Sequence, residues 1–132
     1  MTGKYRLHSM PAAQCHIEIS EDVSHLVVNL ISYDTWVLSV RLNKYTGEFS
    51  VWTSGTYSVT TSRHINRFTT EFLGTNHYFS VKSASACNSF PMKPVELPND
   101  PSSYVQRFLK QIQAYREDSF AFGYVKRFNG RY

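Results

Sequence analysis

Apolar and polar positions along the chain change period twice, and those changes divide it into elements. From Cys15 to Ile19 apolar residues alternate with His16 and Glu18, the period of two expected of a half-buried strand. Glu21 and Asp22 make a turn. Leu26 to Ile31 is then a nearly continuous apolar run broken only by Asn29, which predicts a strand buried on both faces. The cleanest alternation follows, with Trp36, Leu38, Val40 and Leu42 assigned to one face and Val37, Ser39 and Arg41 to the other. Asn43-Lys44-Tyr45-Thr46-Gly47 supplies turn chemistry, after which Phe49, Val51 and Thr53 oppose Ser50 and Trp52 to complete a hairpin. Ser54-Gly55 reverses the chain again into Thr56 to Val59, the last strand of a meander.

The period then lengthens. Ile65, Phe68 and Phe72, with Leu73 beside them, recur at helical spacing, and Gly74 stands where a C′ residue ends a helix. Thr60, Thr61 and Ser62 are expected to supply its N-cap hydroxyl, with Arg63, His64, Arg67 and Thr70 on its outward face. Tyr78 to Lys82 reads as a short strand and residues 83–99, with their prolines and small polar residues, as a long loop. Asp100 as N-cap and Pro101 at N1 begin a second helix whose apolar stripe is Tyr104, Val105, Phe108, Leu109, Ile112 and Tyr115, leaving Arg107, Lys110 and Arg116 solvated. Phe120, Phe122 and Tyr124 alternate as a terminal strand, and residues 126–132 form a basic tail. No internal repeat or second boundary appears, so residues 1–132 are expected to form one α+β domain, an antiparallel β-meander of about four to six strands with two helices packed on it.

Composition narrows the function classes. A hydrophobic content of 42% with 18% charged residues argues against disorder, and no apolar run reaches the length of a membrane span. The amino-terminal stretch lacks the apolar core of a signal peptide, so a cytoplasmic location is expected. Aromatics reach 15%, enough either to fill a core with rings or to leave some for stacking at the surface. Cys15 and Cys87 lie outside any CxxC spacing and are expected to be reduced thiols. The net charge of +4 favours anionic partners.

No catalytic motif emerges. Ser62 and His64 are two apart on a helix and do not face each other, and no acid is placed to orient the imidazole. His8, His16, His25 and His77 have no metal-ligand spacing, and Asp34, Glu48, Glu71 and Asp100 each have a turn, strand-edge, surface or cap role. Glycines in neither P-loop nor dinucleotide order exclude those nucleotide folds, so no cofactor and no metal is expected. The string from Phe120 to Phe128 partly echoes the aromatic strand of RNA-recognition domains, although ordinary core-facing alternation explains it as well. Lys4 with Arg6, Arg63 with Arg67, and Lys126, Arg127 and Arg131 form basic pairs or clusters that make a phosphate-tracking or acidic-partner face only if folding unites them.

Ser32-Tyr33-Asp34-Thr35-Trp36-Val37 and the stretch from Tyr57 to Phe68, YSVTTSRHINRF, resemble a group of short bacteriophage proteins that carry an SYxTxV strand and a YSxTTSxHxN strand-to-helix junction. Tyr57, Thr60, Thr61, Ser62, His64 and Asn66 match that junction. The resemblance implies a small viral accessory protein made in the host cytoplasm and brings no activity with it. Together these features predict a non-enzymatic protein that engages a host nucleic acid or nucleic-acid-processing complex, with Arg63, His64, Arg67, Lys126, Arg127 and Arg131 as the contact residues and the hydroxyls of the junction as helix caps. The alternatives are a small hydrolase or nuclease using His64, and a virion structural or assembly component.

Overall fold

A computed structural model describes residues 2–11, 13–54, 59–74, 93–97 and 99–117. Its strands are β1 (Thr2–Arg6), β2 (Cys15–Glu21), β3 (His25–Ser32), β4 (Thr35–Asn43), β5 (Phe49–Thr53) and β6 (Lys93–Pro94), and its helices are α1 (Val59–Leu73) and α2 (Val105–Arg116). All six strands form one antiparallel sheet in the order β1-β2-β3-β4-β5-β6. The α+β meander with two helices is therefore the architecture, and the alternations at Cys15–Ile19 and Phe49–Thr53 have their expected in-and-out burial.

Both helices lie on one face of the sheet. Leu26, Val28 and Leu30 of β3 pair with Leu42, Val40 and Leu38 of β4 beneath them, and Ile17, Ile19, Phe49 and Val51 extend that floor. Aromatic rings fill the layer above. Phe72 stacks on Phe68 at 4.8 Å and on Tyr115 at 5.4 Å, while Phe108 meets Phe49 edge-on at 5.3 Å. Fully burying a Phe of this kind is worth roughly 1.5–3 kcal/mol, which makes this ring cluster the main anchor of the helices. The N-terminal strand was missed by periodicity because Thr2–Arg6 carries a single ring, Tyr5, and its Gly3 shows no alternation. Leu7 immediately after it is fully buried.

The structure corrects several expectations. Leu26–Ile31 is not buried on both faces: Val27, Asn29 and Ile31 are only half-buried on the side away from the helices. In β4 the register slips between Leu30/Leu38 and Ile31/Trp36, so Val37 is an extra, bulged residue. The bulge turns Trp36 to the face opposite Leu38, where strict alternation does not put it. Helix α1 begins at Val59, which takes Val59 out of the expected meander strand and places Thr60, Thr61 and Ser62 inside the first turn instead of at the cap. The capping position ahead of Val59 lies outside the described residues, as do Thr56 to Ser58. At the other end Gly74 has φ +79° and its N–H bonds Thr70 O at 3.1 Å, as the C′ reading requires.

Part of the expected loop 83–99 is ordered against the sheet, because Lys93–Pro94 pairs with Trp52–Thr53 and Val95 and Leu97 pack on the core. Asp100 caps as expected, its carboxylate accepting from Ser102 N at 3.1 Å, but the first turn is a 3₁₀ turn over Pro101–Tyr104. Leu109 departs from the buried stripe and is 39% exposed. The expected strands at Tyr78–Lys82 and Phe120–Tyr124, and the basic tail, lie outside the described residues.

Candidate nucleic-acid interface

The sheet face turned away from the helices is built by the alternate positions that the core does not use. Register places Lys4 beside Glu18, Arg6 beside His16, Asn29 beside Ser39, Val27 beside Arg41, and Ser39 beside Trp52. Ile31 and Trp36 continue the same surface at the β3–β4 end. A stripe of polar links holds its aromatic members. The indole N–H of Trp36 donates to Asn29 Oδ1 at 3.0 Å, and that of Trp52 donates to Ser50 Oγ at 2.9 Å. Arg41 donates through Nε to Ser39 Oγ at 3.2 Å, and its guanidinium lies over the Trp52 ring, 5.2 Å from the centroid. That geometry is a cation–π contact, and it fixes the planar fork with its two Nη groups unengaged by any described residue.

Charge on this face is mostly positive. Among the described residues Lys4 and Arg41 share this face with one carboxylate, Glu18, whose Oε2 is 4.0 Å from Lys4 Nζ and 3.5 Å from His16 Nε2. The adjacent His16 imidazole holds the Glu18 carboxyl below its usual range, against the partial burial that pushes it up. Trp36 is 37% exposed and Tyr33, at the tip of the β3–β4 hairpin, 51% exposed. Tyr33 has φ +56°, a left-handed conformation rarely taken by an aromatic residue. What this surface offers chemically is one open ring, a second ring already carrying a cation, and a free guanidinium fork between polar side chains.

Beneath the hairpin tip lies a buried polar cluster. Ser32 Oγ is 2.9 Å from both Thr61 Oγ1 and His64 Nδ1, and the Tyr33 ring packs tilted on the imidazole at 5.8 Å. The cluster joins the two segments of the junction resemblance across 32 positions of sequence. His64 is only 2% exposed, which corrects its assignment to the outward face of α1. It precedes Phe68 by four residues and so shares the core stripe. Burial lowers its pKa, leaving a neutral imidazole at pH 7. A serine and a histidine 2.9 Å apart have the spacing of a nucleophile and its base, yet Ser32 is equally buried and no carboxylate among the described residues orients the ring. The arrangement clamps the hairpin tip to the start of α1.

Of the other expected contact residues, Arg63 and Arg67 are exposed one turn apart on α1. They sit on the outer side of the helix layer, so the fold does not unite them with Lys4, Arg6 and Arg41. Lys126, Arg127, Arg131 and Tyr57 lie outside the described residues. Asn66 accepts through its backbone carbonyl from Thr69 and Thr70 within α1. Sequence reading missed Asn29, Trp36, Arg41 and Trp52 as a set. The signal was available for Arg41 and Trp52, which occupy the polar phase of two adjacent strands, whereas the bulge at Val37 hid Trp36.

Two further clusters tie the helices down. Glu71 accepts from the Tyr115 hydroxyl, from Ser9 Oγ and from Ser9 N, while Tyr115 in turn accepts from His8 N at 2.8 Å. Burial, reinforced by Glu71, raises the Tyr115 phenol, and burial pushes the neighbouring Cys15 thiol up to about 11, so neither ionises at neutral pH. Glu21 bonds Lys44 and Arg116, and these lower its pKa; they rim a groove of about 620 Å³ floored by Leu26, Leu42, Leu109 and Ile112. Among the described residues no helix is long and apolar enough to cross a membrane, and no three metal-ligating side chains converge.

No curated protein and no solved structure matches the chain. A family of unknown function, DUF8033, matches residues 7–83, a span that takes in β2 to β5 and α1, including the Ser32–Thr61–His64 clamp and the Trp36–Asn29–Arg41–Trp52 stripe, and stops short of α2. That span is more than half of the chain, which therefore belongs to the DUF8033 family.

Proposed function

We propose that this protein is a non-enzymatic binding protein that takes single-stranded nucleic acid on the open face of its sheet and, in a phage setting, modulates host nucleic-acid processing. The observation that carries the reading is the Trp36–Asn29–Ser39–Arg41–Trp52 stripe. Extended strands hold bases that stack on exposed rings, and a guanidinium fork donates to the backbone phosphate between them. Lys4 and Arg41, set against Glu18 among the described residues, supply the attraction. Single strands suit the surface better than duplex, since the open Trp36 ring needs an unstacked base and the sheet face does not enter a groove. The phage setting rests on the resemblance of the two junction segments. The buried position of His64 favours binding over the hydrolase alternative.

Fluorescence anisotropy with a labelled single-stranded oligonucleotide and its duplex, across a salt series, tests the proposal. Single strands should bind more tightly than duplex, and affinity should fall with salt. Stacking of one base is worth about 1–3 kcal/mol, so Trp36→Ala should weaken binding roughly 5- to 150-fold. Arg41→Ala should reduce the salt slope by about 0.7, one phosphate contact on a single strand. No binding at low salt, or full affinity in both variants, overturns it.

A further inference from the structure

We infer that Asn29 is a base-reading residue that makes the sheet face prefer keto bases, thymine or uracil over cytosine and guanine over adenine; the inference rests on the binding reading above. Asn29 stands at the centre of the stripe, paired with Ser39 on β4 and bonded to Trp36. An indole N–H can only donate, so the 3.0 Å contact from Trp36 Nε1 fixes which end of the Asn29 amide is oxygen. The NH₂ end therefore points away from Trp36, and no described residue accepts from it.

The consequence is a directional donor beside a stacking platform. A base lying on the half-open Trp36 ring brings its edge to the amide that the same indole holds in place. The Asn29 NH₂ then meets whatever the base carries at pyrimidine C4 or purine C6. A keto oxygen there accepts; an exocyclic amino group is itself a donor and leaves two donors opposed. The usual paired contact of asparagine with adenine needs the amide oxygen as well, and here that oxygen is already engaged by Trp36. Arg41 lies one strand across and two residues along, about 7 Å in the strand direction and on the other side of Asn29 from Trp36, where it can meet the phosphate of the neighbouring nucleotide. Ring, donor and cation thus serve adjacent positions of one single strand.

The test compares oligo-dT with oligo-dC, two pyrimidine strands that share a backbone and differ at C4. The wild-type protein should bind oligo-dT tighter on the order of 5-fold, the scale of one hydrogen bond gained or left unmade. Asn29→Asp keeps an acceptor for the Trp36 indole and replaces the donor by an acceptor. It should weaken both strands through its added negative charge and reverse their order. Asn29→Ala should bring the ratio close to one. Tight but equal binding of oligo-dT and oligo-dC by the wild type, or a dT/dC ratio unchanged in both variants, overturns the base-reading role and leaves the interface standing. Failure of every strand to bind overturns both.

Discussion

Removing the Ser32 hydroxyl probes the buried clamp directly. Ser32→Ala deletes the common partner of Thr61 Oγ1 and His64 Nδ1, each 2.9 Å away. Thr61 retains a further contact, whereas His64 Nδ1 loses the hydrogen bond that offsets its burial. A buried polar atom left unsatisfied costs about 1–3 kcal/mol, so a loss near 2 kcal/mol is expected. Unfolding entropy of about 2.1 cal/mol/K per residue over 132 residues gives roughly 0.28 kcal/mol/K, which converts that loss to a fall in Tm of about 7 °C. Thermal and urea melts followed by far-ultraviolet circular dichroism measure it. His64→Leu is the necessary companion, since it keeps apolar volume, removes the imidazole and leaves Ser32 bonded to Thr61. In the double variant no unsatisfied ring nitrogen remains, so its cost should be clearly smaller than the sum of the single costs. A Ser32→Ala melt within about 2 °C of wild type, the range of an ordinary surface substitution, would refute the clamp, as would strict additivity.

The same histidine sets a pH dependence. Burial lowers its folded pKa below the ordinary 6.5, so below that pH the unfolded chain takes up a proton that the folded chain refuses. Its contribution to stability is complete above 6.5 and is lost as pH falls toward the folded pKa. Urea midpoints taken between about pH 7.5 and 5.5 should therefore fall more for wild type than for His64→Leu, and equal falls would contradict the assignment. Tyr115→Phe removes the hydroxyl that donates to Glu71 and accepts from His8 N, while the stacked His8 ring at 3.7 Å keeps its platform. A loss of about 1–2 kcal/mol by calorimetry is expected, and an unchanged melt would show that Glu71 and the Ser9 loop hold without it.

What the sequence made legible follows from how each feature is enforced. Cys15, Ile17 and Ile19, or Phe49, Val51 and Thr53, must alternate because one face is buried, and Asp100 and Gly74 carry local chemistry that needs no distant partner. His64 was misplaced because a polar residue beside Arg63 reads as solvated, and only contact with Ser32, 32 residues away, reveals otherwise. Its spacing of four from Phe68 was the available warning.

Trp36 illustrates the harder case. Alternation through Leu38, Val40 and Leu42 assigns it to the core, and one extra residue reverses that assignment. The bulge is stabilised from a strand away, where Val37 O accepts from the Thr53 hydroxyl at 3.2 Å and from Ser54 N at 3.3 Å. Those donors lie beyond a hairpin, so no window around Trp36 contains the cause. Without the bulge the indole would turn to the helix-covered face and Asn29 would lose the donor that orients its amide. The open ring and the fixed amide thus follow from one bulged residue in β4, added to a polar stripe that ordinary alternation already supplies, so the candidate interface is a property of the fold and not of a motif.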